Sequence, residues 1–362
     1  MFGQARQPDG VSIIVKENRH IEIVSSSQKW LSSMSDVSRQ AIQTTLRKRY
    51  TKVEITLVDS VLELEMLVAS QPDLVFLGMS FIPSNPILGW RDTERIWLSE
   101  YLDRHNIAHT GSGQAAHILE SNKDLAKQRV IDAGLRSSSF IVAPQHRQLN
   151  RGDVSLEYPL FVKPTNRGGG QGIDSASVVH DFAQLKKKVA EIASKHKADS
   201  LIEKYLPGRE FSVAILEDDL TGQLLSMPVE LIAPTDEYGQ RLLSRQVKSA
   251  DAENVMGITN SQTKREISRL AERAFIALGA RDYGRIDVRM DAGGNVNFLE
   301  ANLIPSLIAD YGSFPKACLL NNRIDYESMI LRIVRLGFAR NVGASEDLRE
   351  SFTPNTTSPV YF

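Results

Sequence analysis

The sequence predicts an α/β protein: an open α/β layer over about the first 110 residues, mixed strands and helices up to about residue 340, and a disordered tail over 341–362. Three observations carry this. Short apolar runs alternate with helix-compatible stretches through the first third of the chain, as in a sheet wrapped by helices. Beyond residue 160 the strands are followed by glycine or Pro-Gly breaks. From Gly284 to Asp291 charged and apolar residues alternate, and a second apolar run follows a glycine turn, which is the pattern of a β-hairpin.

Taken in order, residues 1–10 are polar and predicted to be loose, Val11–Val15 reads as a first strand and Val53–Val58 as a second, with a helix over about Ser35–Lys48 between them. Asp59-Ser60 can cap a helix through Leu62, Met66 and Leu67. Leu74–Gly78 is a continuous apolar run, as a buried parallel strand should be. A helix from about Thr93 to Arg104 then leads to Ile107–Thr110. Asn122 caps a helix that ends at Gly134. Phe161–Pro164 ends a strand, Asp181–Lys195 is helical, and Ser200–Leu206 and Arg209–Leu216 are strands separated by Pro207-Gly208. Ile232–Val255 is a long polar loop, which in a compact domain is usually functional. Helices over Thr263–Leu278 and Asp325–Phe338 flank the hairpin.

Composition narrows the function. With 42% apolar and 24% charged residues and a net charge of −1, the chain has no basic excess for nucleic acid. Its longest apolar runs are far short of the ~20 residues of a membrane helix, and the start lacks the pattern of a signal peptide. One cysteine, Cys318, excludes an internal disulfide and suits a reducing cytoplasm; packing explains it better than nucleophilic chemistry. Seven scattered histidines make no zinc pattern.

The hairpin carries the chemistry. Arg285, Asp287, Arg289 and Asp291 alternate with Ile286, Val288 and Met290, and Ala292-Gly293-Gly294-Asn295 can turn the chain into Asn297–Asn302. A loop of two or four residues would set Asp287 opposite Glu300 and Arg285 opposite Asn302. Two carboxylates and an amide oxygen suit Mg²⁺, and an arginine beside them can stabilise a transferring phosphoryl group. An ordinary solvated strand with cross-strand ion pairs is the alternative. Directly after Lys163, Asn166–Gly172 holds four glycines, Gly168, Gly169, Gly170 and Gly172, whose backbone can close over phosphates; a flexible hairpin tip is the alternative. Gly111-Ser112-Gly113-Gln114 is a weaker phosphate-turn signal, lacking the third glycine of a dinucleotide fingerprint.

Lys123, Lys163 with its glycine run, Ile202–Ala214, Gly284–Val288 and Leu299–Asn302 together resemble the ATP-grasp superfamily, nearest to the D-alanine–D-alanine ligases, over residues 107–340. The resemblance implies an ATP-grasp fold in which two α+β subdomains, over 119–205 and 206–340, clamp ATP behind an N-terminal α/β domain over 1–118. It implies that Lys123 and Lys163 hold ATP phosphates, that Gly168, Gly169 and Gly170 form a flap, that Glu203 and the backbone of Lys204 and Leu206 read adenine, and that Glu210 binds the ribose. Asp287, Glu300 and Asn302 would hold two Mg²⁺ ions, with Mn²⁺ a substitute, and Arg285 would stabilise charge as a carboxylate attacks the γ-phosphorus. An amine would then displace phosphate from the acyl phosphate. Amino-acid substrates and a homodimer through the N-terminal domain follow by the same resemblance.

The departures lie where amino acids would bind. Ile14–His20 does not reproduce the family's glycine-rich loop with its glutamate, and Glu17 is a poor stand-in. Gly78–Pro83 replaces the His-Gly loop, Gly169 and Gly170 replace paired serines, and Ile304-Pro305-Ser306 replaces the Ser-Pro-Gly run of the oxyanion site, leaving Ser306 as candidate. Tyr311 and Ser313 stand where the second substrate is held, and Lys248, in a poorly matching tyrosine-lysine loop, is a third phosphate candidate. The expectation is a carboxylate–amine ligase for substrates other than two D-alanines. A D-alanine–D-alanine ligase of cell-wall synthesis and a degenerate ATP-binding protein are the alternatives, and the intact metal and phosphate residues speak against the last.

Overall fold

The computed structural model describes residues 15–347, apart from positions 33, 86, 89–93, 251 and 310. Its first sheet is parallel. β1 (Glu17–Ser25), α1 (Asp36–Arg47), β2 (Tyr50–Leu57), α2 (Val61–Ala69) and β3 (Leu74–Leu77) alternate, with Ser35 and Ser60 capping the two helices through their hydroxyls. A two-stranded ribbon follows, β4 (Phe81–Pro83) with β5 (Arg95–Trp97), then α3 (Leu98–Arg104) and β6 (Ala108–His109), giving the sheet order β2-β1-β3-β6.

One expectation lies outside the described residues and another is corrected here. The strand expected at Val11–Val15 lies outside the described residues except for Val15, and the first described strand is Glu17–Ser25. Its outer half is polar and exposed while Ile21–Ser25 are buried, so its pattern is apolar only where the sheet is covered. Glu17 is therefore a strand residue, 2.8 Å from Arg49 on the surface, and the loop after the strand is Ser26-Ser27-Gln28, whose two serine hydroxyls donate to Asp59. The helix expected from Thr93 starts at Leu98, because Arg95-Ile96-Trp97 pairs with β4 instead.

α4 (Gln114–Ser121) and α5 (Lys123–Asp132) lead into a second, antiparallel sheet made of β7 (Phe140–Ala143), β8 (Leu160–Pro164), β9 (Val178–Val179) and, after α6 (Phe182–Glu191), β10 (Ser200–Lys204), in the order β7-β10-β8-β9. Asn122 occupies the N-cap of α5 without capping it; its side-chain amide donates to Ile118 instead. Gly134 ends the segment at φ +71°.

The third sheet holds the hairpin: β11 (Glu210–Glu217), β12 (Leu224–Ile232), α7 (Arg245–Ser249), β13 (Asn254–Gly257), α8 (Ser261–Ala277), β14 (Tyr283–Met290) and β15 (Val296–Asn302), ordered β13-β12-β11-β14-β15 and antiparallel throughout. The loop expected over Ile232–Val255 thus contains a short helix and meets strands at both ends. α8 buries Ile267, Ala271, Ala274 and Phe275 against Phe211, Val213, Ile286 and Val288 on one face, and Ala126 and Val130 of α5 join that core. α5, expected with the central unit, therefore packs on the third sheet. α9 (Ser313–Asn322) covers the other face near Ala214 and Leu216, and α10 (Tyr326–Asp347) lays Met329, Ile330, Ile333 and Val334 in the same core as Ile21, Ile23, Leu74 and Phe76 of the first sheet. α10 continues past Asn341, where the disordered tail was expected to begin, as far as Asp347; the rest of that tail lies outside the described residues. No described helix is long and apolar enough to cross a membrane.

Candidate active site

The hairpin forms as its alternation requires. Ile286 and Val288 are wholly buried beneath α8, so Arg285, Asp287 and Arg289 point to the opposite face, where Glu210 and Ser212 of β11 stand directly across from Arg289 and Asp287. Asp287 pairs with Glu300 and Arg285 with Asn302. The register has an unexpected origin. The loop between Met290 and Val296 holds an odd number of residues, which alone would bring Leu299 opposite Asp287; a bulge between Asp287 and Val288 absorbs the extra residue and restores Glu300 to that place.

Asp287 is buried and held from two sides. Arg285 grips it with Nε and Nη2 at 2.9 Å each, and the Ser212 hydroxyl donates to Oδ1 at 2.8 Å. Oδ1 accepts two bonds and Oδ2 one, so Oδ2 keeps a lone pair for a cation. Arg285 also donates from Nη1 to Ser313 Oγ at 3.3 Å. Glu300 lies 3.8 Å from Lys123. Burial works against its charge, but Lys123, Lys163, Lys248 and Arg285 together hold its pKa down at about 2. Among the described residues no three His, Cys, Asp or Glu side chains come together as a metal cage. Two opposed carboxylates with the Asn302 amide fit Mg²⁺ none the less, since that ion is commonly held by one or two carboxylates while water and phosphates fill the octahedron.

Glu203 forms the second focus. Its side chain is almost fully buried, with Lys163 Nζ 2.8 Å from Oε1, Lys127 Nζ 2.8 Å from Oε2 and Ser138 Oγ donating to Oε2 at 2.9 Å. Burial opposes its ionisation and the two lysines overcome it, holding the pKa at about 2. Lys163 is likewise opposed by burial but kept above its ordinary value by Glu203 and Glu300. Lys123 goes the other way: burial lowers it despite Glu300, and its ammonium donates to the Arg167 carbonyl at 2.6 Å, which ties α5 to the base of the glycine run.

Between these foci lies a cleft open to solvent on one side. Phe161, Tyr205, Leu206, Leu242, Leu243 and Leu299 give it apolar walls, and Lys123, Lys163, Lys248, Asp287 and Glu300 its charged end. Glu210 lines it beside Arg289, whose Nη1 donates to Glu210 at 2.9 Å. Burial raises the Glu210 pKa more than Arg289 and Lys248 lower it. Gly170 closes one side at φ +74°, packed against the backbone of Leu243–Arg245.

Of the residues singled out from sequence, Lys123, Lys163, Gly170, Glu203, Lys204, Leu206, Glu210, Lys248, Asp287 and Glu300 line this one cleft. Gly168, Gly169, Arg285, Asn302, Ser306, Tyr311 and Ser313 are not in its lining. Arg285 and Ser313 reach it through Asp287, and the Tyr311 hydroxyl donates to the Lys248 carbonyl at 2.7 Å. Ser306 sits half-buried on the turn before α9, its carbonyl packed against Gly312. Gly111 and Ser112 are not in the cleft lining; they bond to Asp282 and Arg281, just before β14. Sequence reasoning missed Lys127, Ser138, Arg167 and Arg289. Arg289 alone left a trace, as a charged residue in register with Asp287.

Comparison with known proteins bears on this geometry. The family described as D-ala D-ala ligase C-terminus matches residues 132–335. The D-alanine–D-alanine ligase of Geobacter sulfurreducens is 27% identical over 234 residues, 64% of this chain and 70% of that protein. The ligase of the same name from Hydrogenovibrio crunogenus is 28% identical over 237 residues, 65% and 71%. Among solved structures, the D-alanine–D-alanine ligase of Bacillus anthracis complexed with ATP superposes with a TM-score of 0.69 at 18% identity, covering 90% of this chain and 99% of that one, a likeness of fold.

Proposed function

The chain belongs to the D-alanine–D-alanine ligase family of the ATP-grasp superfamily, and from that premise we propose that it is an ATP-dependent ligase that joins a carboxylate to an amine through an acyl phosphate, releasing ADP and phosphate. The observation that carries this reading is the opposition of Asp287 and Glu300 at the lysine-rich end of a cleft whose other walls are apolar. The nucleotide base enters between Phe161, Tyr205 and Leu206, read by Glu203 and by the backbone of Lys204 and Leu206, and Glu210 takes the ribose hydroxyls. Lys123, Lys163 and Lys248 face the phosphates, with Gly168, Gly169 and Gly170 above them as a flap. Asp287, Glu300 and Asn302 hold Mg²⁺, which when bound neutralises charge on the phosphate oxygens.

The substrate carboxylate attacks the γ-phosphorus, and the bond to the ADP oxygen breaks. Arg285, kept in place by Asp287, stabilises the charge on the transferring group. The amine then attacks the activated carbonyl, phosphate leaves, and Ser306 lies on the turn that would line the oxyanion. Exclusion of water by the flap protects the acyl phosphate. Tyr311 and Ser313, each bonded to a cleft element, border the space for the amine. In this reading residues 1–118, 119–205 and 206–340 are the N-terminal, central and C-terminal units.

The substrates are either amino acids other than two D-alanines or the D-alanine pair itself. The first choice rests on the unlikeness of Ile14–His20 to the family's substrate loop, a segment whose Glu17–Arg19 form the exposed start of β1; the loop after that strand carries serines bonded to Asp59 instead of a glutamate. The second choice is supported by the relatives, which bear the name D-alanine–D-alanine ligase. Release of ADP from Mg²⁺-ATP against a matrix of amino-acid pairs, with products identified by mass spectrometry, separates the two. Turnover with D-alanine alone selects the pair, turnover with another combination selects that one, and a protein that binds ATP without turnover with any amine would overturn the ligase reading.

A further inference from the structure

Lys127 stands one helical turn after Lys123 on α5 and is completely buried. Its ammonium lies 2.8 Å from Glu203 Oε2 and donates to Ser137 Oγ and Ser138 Oγ at 3.0 Å each and to the Phe298 carbonyl at 3.3 Å. Lys127 does not line the cleft, whereas Lys163, on the other oxygen of the same carboxylate, does. One buried carboxylate is thus shared by two lysines, of which only one meets the solvent of the cleft.

The charge count gives this arrangement a consequence. Lys127, Glu203 and Lys163 sum to a single positive charge, so Lys163 presents a cation to whatever enters. Without Lys127, Glu203 and Lys163 would cancel, and the phosphate end of the cleft would lose one charge in a poorly screened setting. Loss of Lys127 would also leave Glu203 Oε2 with one partner, Ser138, and the carboxylate less firmly oriented. The Phe298 carbonyl that Lys127 holds is next to Leu299 and Glu300 on β15, so the same ammonium joins the base-reading strand β10 to the hairpin.

We propose that Lys127 is a positioning residue that neutralises Glu203 from behind the cleft, so that Lys163 keeps its charge for the phosphates and Glu203 keeps its orientation toward the base. The inference rests on the nucleotide reading above. A buried ion pair that only stabilises the fold would have no such effect on phosphate recognition.

The test is calorimetric binding of ADP and of adenosine to the full chain in four forms: wild type, Lys127→Met, Glu203→Gln and the double variant. Lys127→Met should weaken ADP binding by about tenfold or more, the scale of a lost charge interaction at a partly screened site, while adenosine binding falls less. The double variant should recover most of the ADP-over-adenosine preference, because a neutral amide no longer cancels Lys163. A Lys127→Met protein with wild-type preference, or a double variant no better than Lys127→Met, would overturn the inference. Should Lys127→Met fail to fold, the double variant, which leaves no buried carboxylate without its lysine, still decides: ADP preference near wild type supports the proposal and its loss refutes it. A wild-type chain that binds neither ligand would overturn the nucleotide reading itself and the inference with it.

Discussion

Replacing Glu300 by Gln should cost the free protein about 3 kcal/mol at neutral pH as well as ATP turnover. The carboxylate is mostly buried, with 23% of its side chain exposed, and the lysines and Arg285 around it lower its pKa from 4.5 to about 2 against the effect of burial. At ~1.4 kcal/mol for each tenfold change in proton affinity, that difference is worth roughly 3 kcal/mol. The sign follows from linkage. The folded value lies below the unfolded one, so the contribution is fully present above about pH 4.5 and is lost as pH falls toward 2. Urea unfolding of wild type and Glu300→Gln should therefore differ by about that amount at pH 7, with more than half of the gap gone by about pH 3. The same variant should show no ADP release with Mg²⁺-ATP under conditions where wild type turns over. Equal stability at pH 7, or a gap that stays constant down to pH 3, would show that the surrounding cations do not hold Glu300; retained turnover would remove it from the metal site.

Three further outcomes follow from the same geometry. Glu210 has its pKa raised by burial, so its ionised form disfavours folding above the unfolded pKa; Glu210→Gln should raise the urea midpoint at pH 7 while weakening ADP binding about tenfold through the lost ribose acceptor. Alanine substitutions across the glycine run should rank by backbone freedom. Gly168→Ala meets no atom within 4 Å and should be nearly silent, Gly169→Ala at φ +62° should cost about 1 kcal/mol in flap stability, and Gly170→Ala, at φ +74° with its Cβ 2.8 Å from Arg245 N, should reduce kcat most because the backbone of α7 must move. Cys318, wholly buried with its thiol pushed up to about 12 by burial, should resist a thiol reagent at pH 8 and react at once in denaturant.

Much of the site was legible because its signal was local. Arg285 and Asp287 sit on a short alternating run, and Glu300 and Asn302 on a second run across a glycine turn, so that reading the two runs as a hairpin puts all four on one face. The register came out as expected, yet the loop that was meant to set it has the wrong parity, and the bulge that corrects it depends on packing between β14 and β15. The first strand was illegible for a related reason. The run Val11–Val15, apolar apart from Ser12, outweighs the polar Glu17–His20 in a periodicity reading, while the inner half of Glu17–Ser25 is covered by α10, more than 300 residues away in sequence.

Two of the missed residues, Lys127 and Arg289, share one property: each is a charge whose partner is remote in the chain. Lys127 on a helix and Arg289 on a strand read, taken singly, as members of solvated faces, because a lysine or arginine is almost never fully buried unless paired. Their partners, Glu203 and Glu210, lie on β10 and β11, and nothing within a helical turn or a hairpin of Lys127 or Arg289 announces them. Burying such pairs is costly in desolvation and is weak evidence for stability by itself. Their placement is better explained by the cleft. Lys127 stands behind Glu203, outside the cleft lining, and Arg289 lies beside Glu210 within that lining, so that each acidic residue is held in orientation by its own cation.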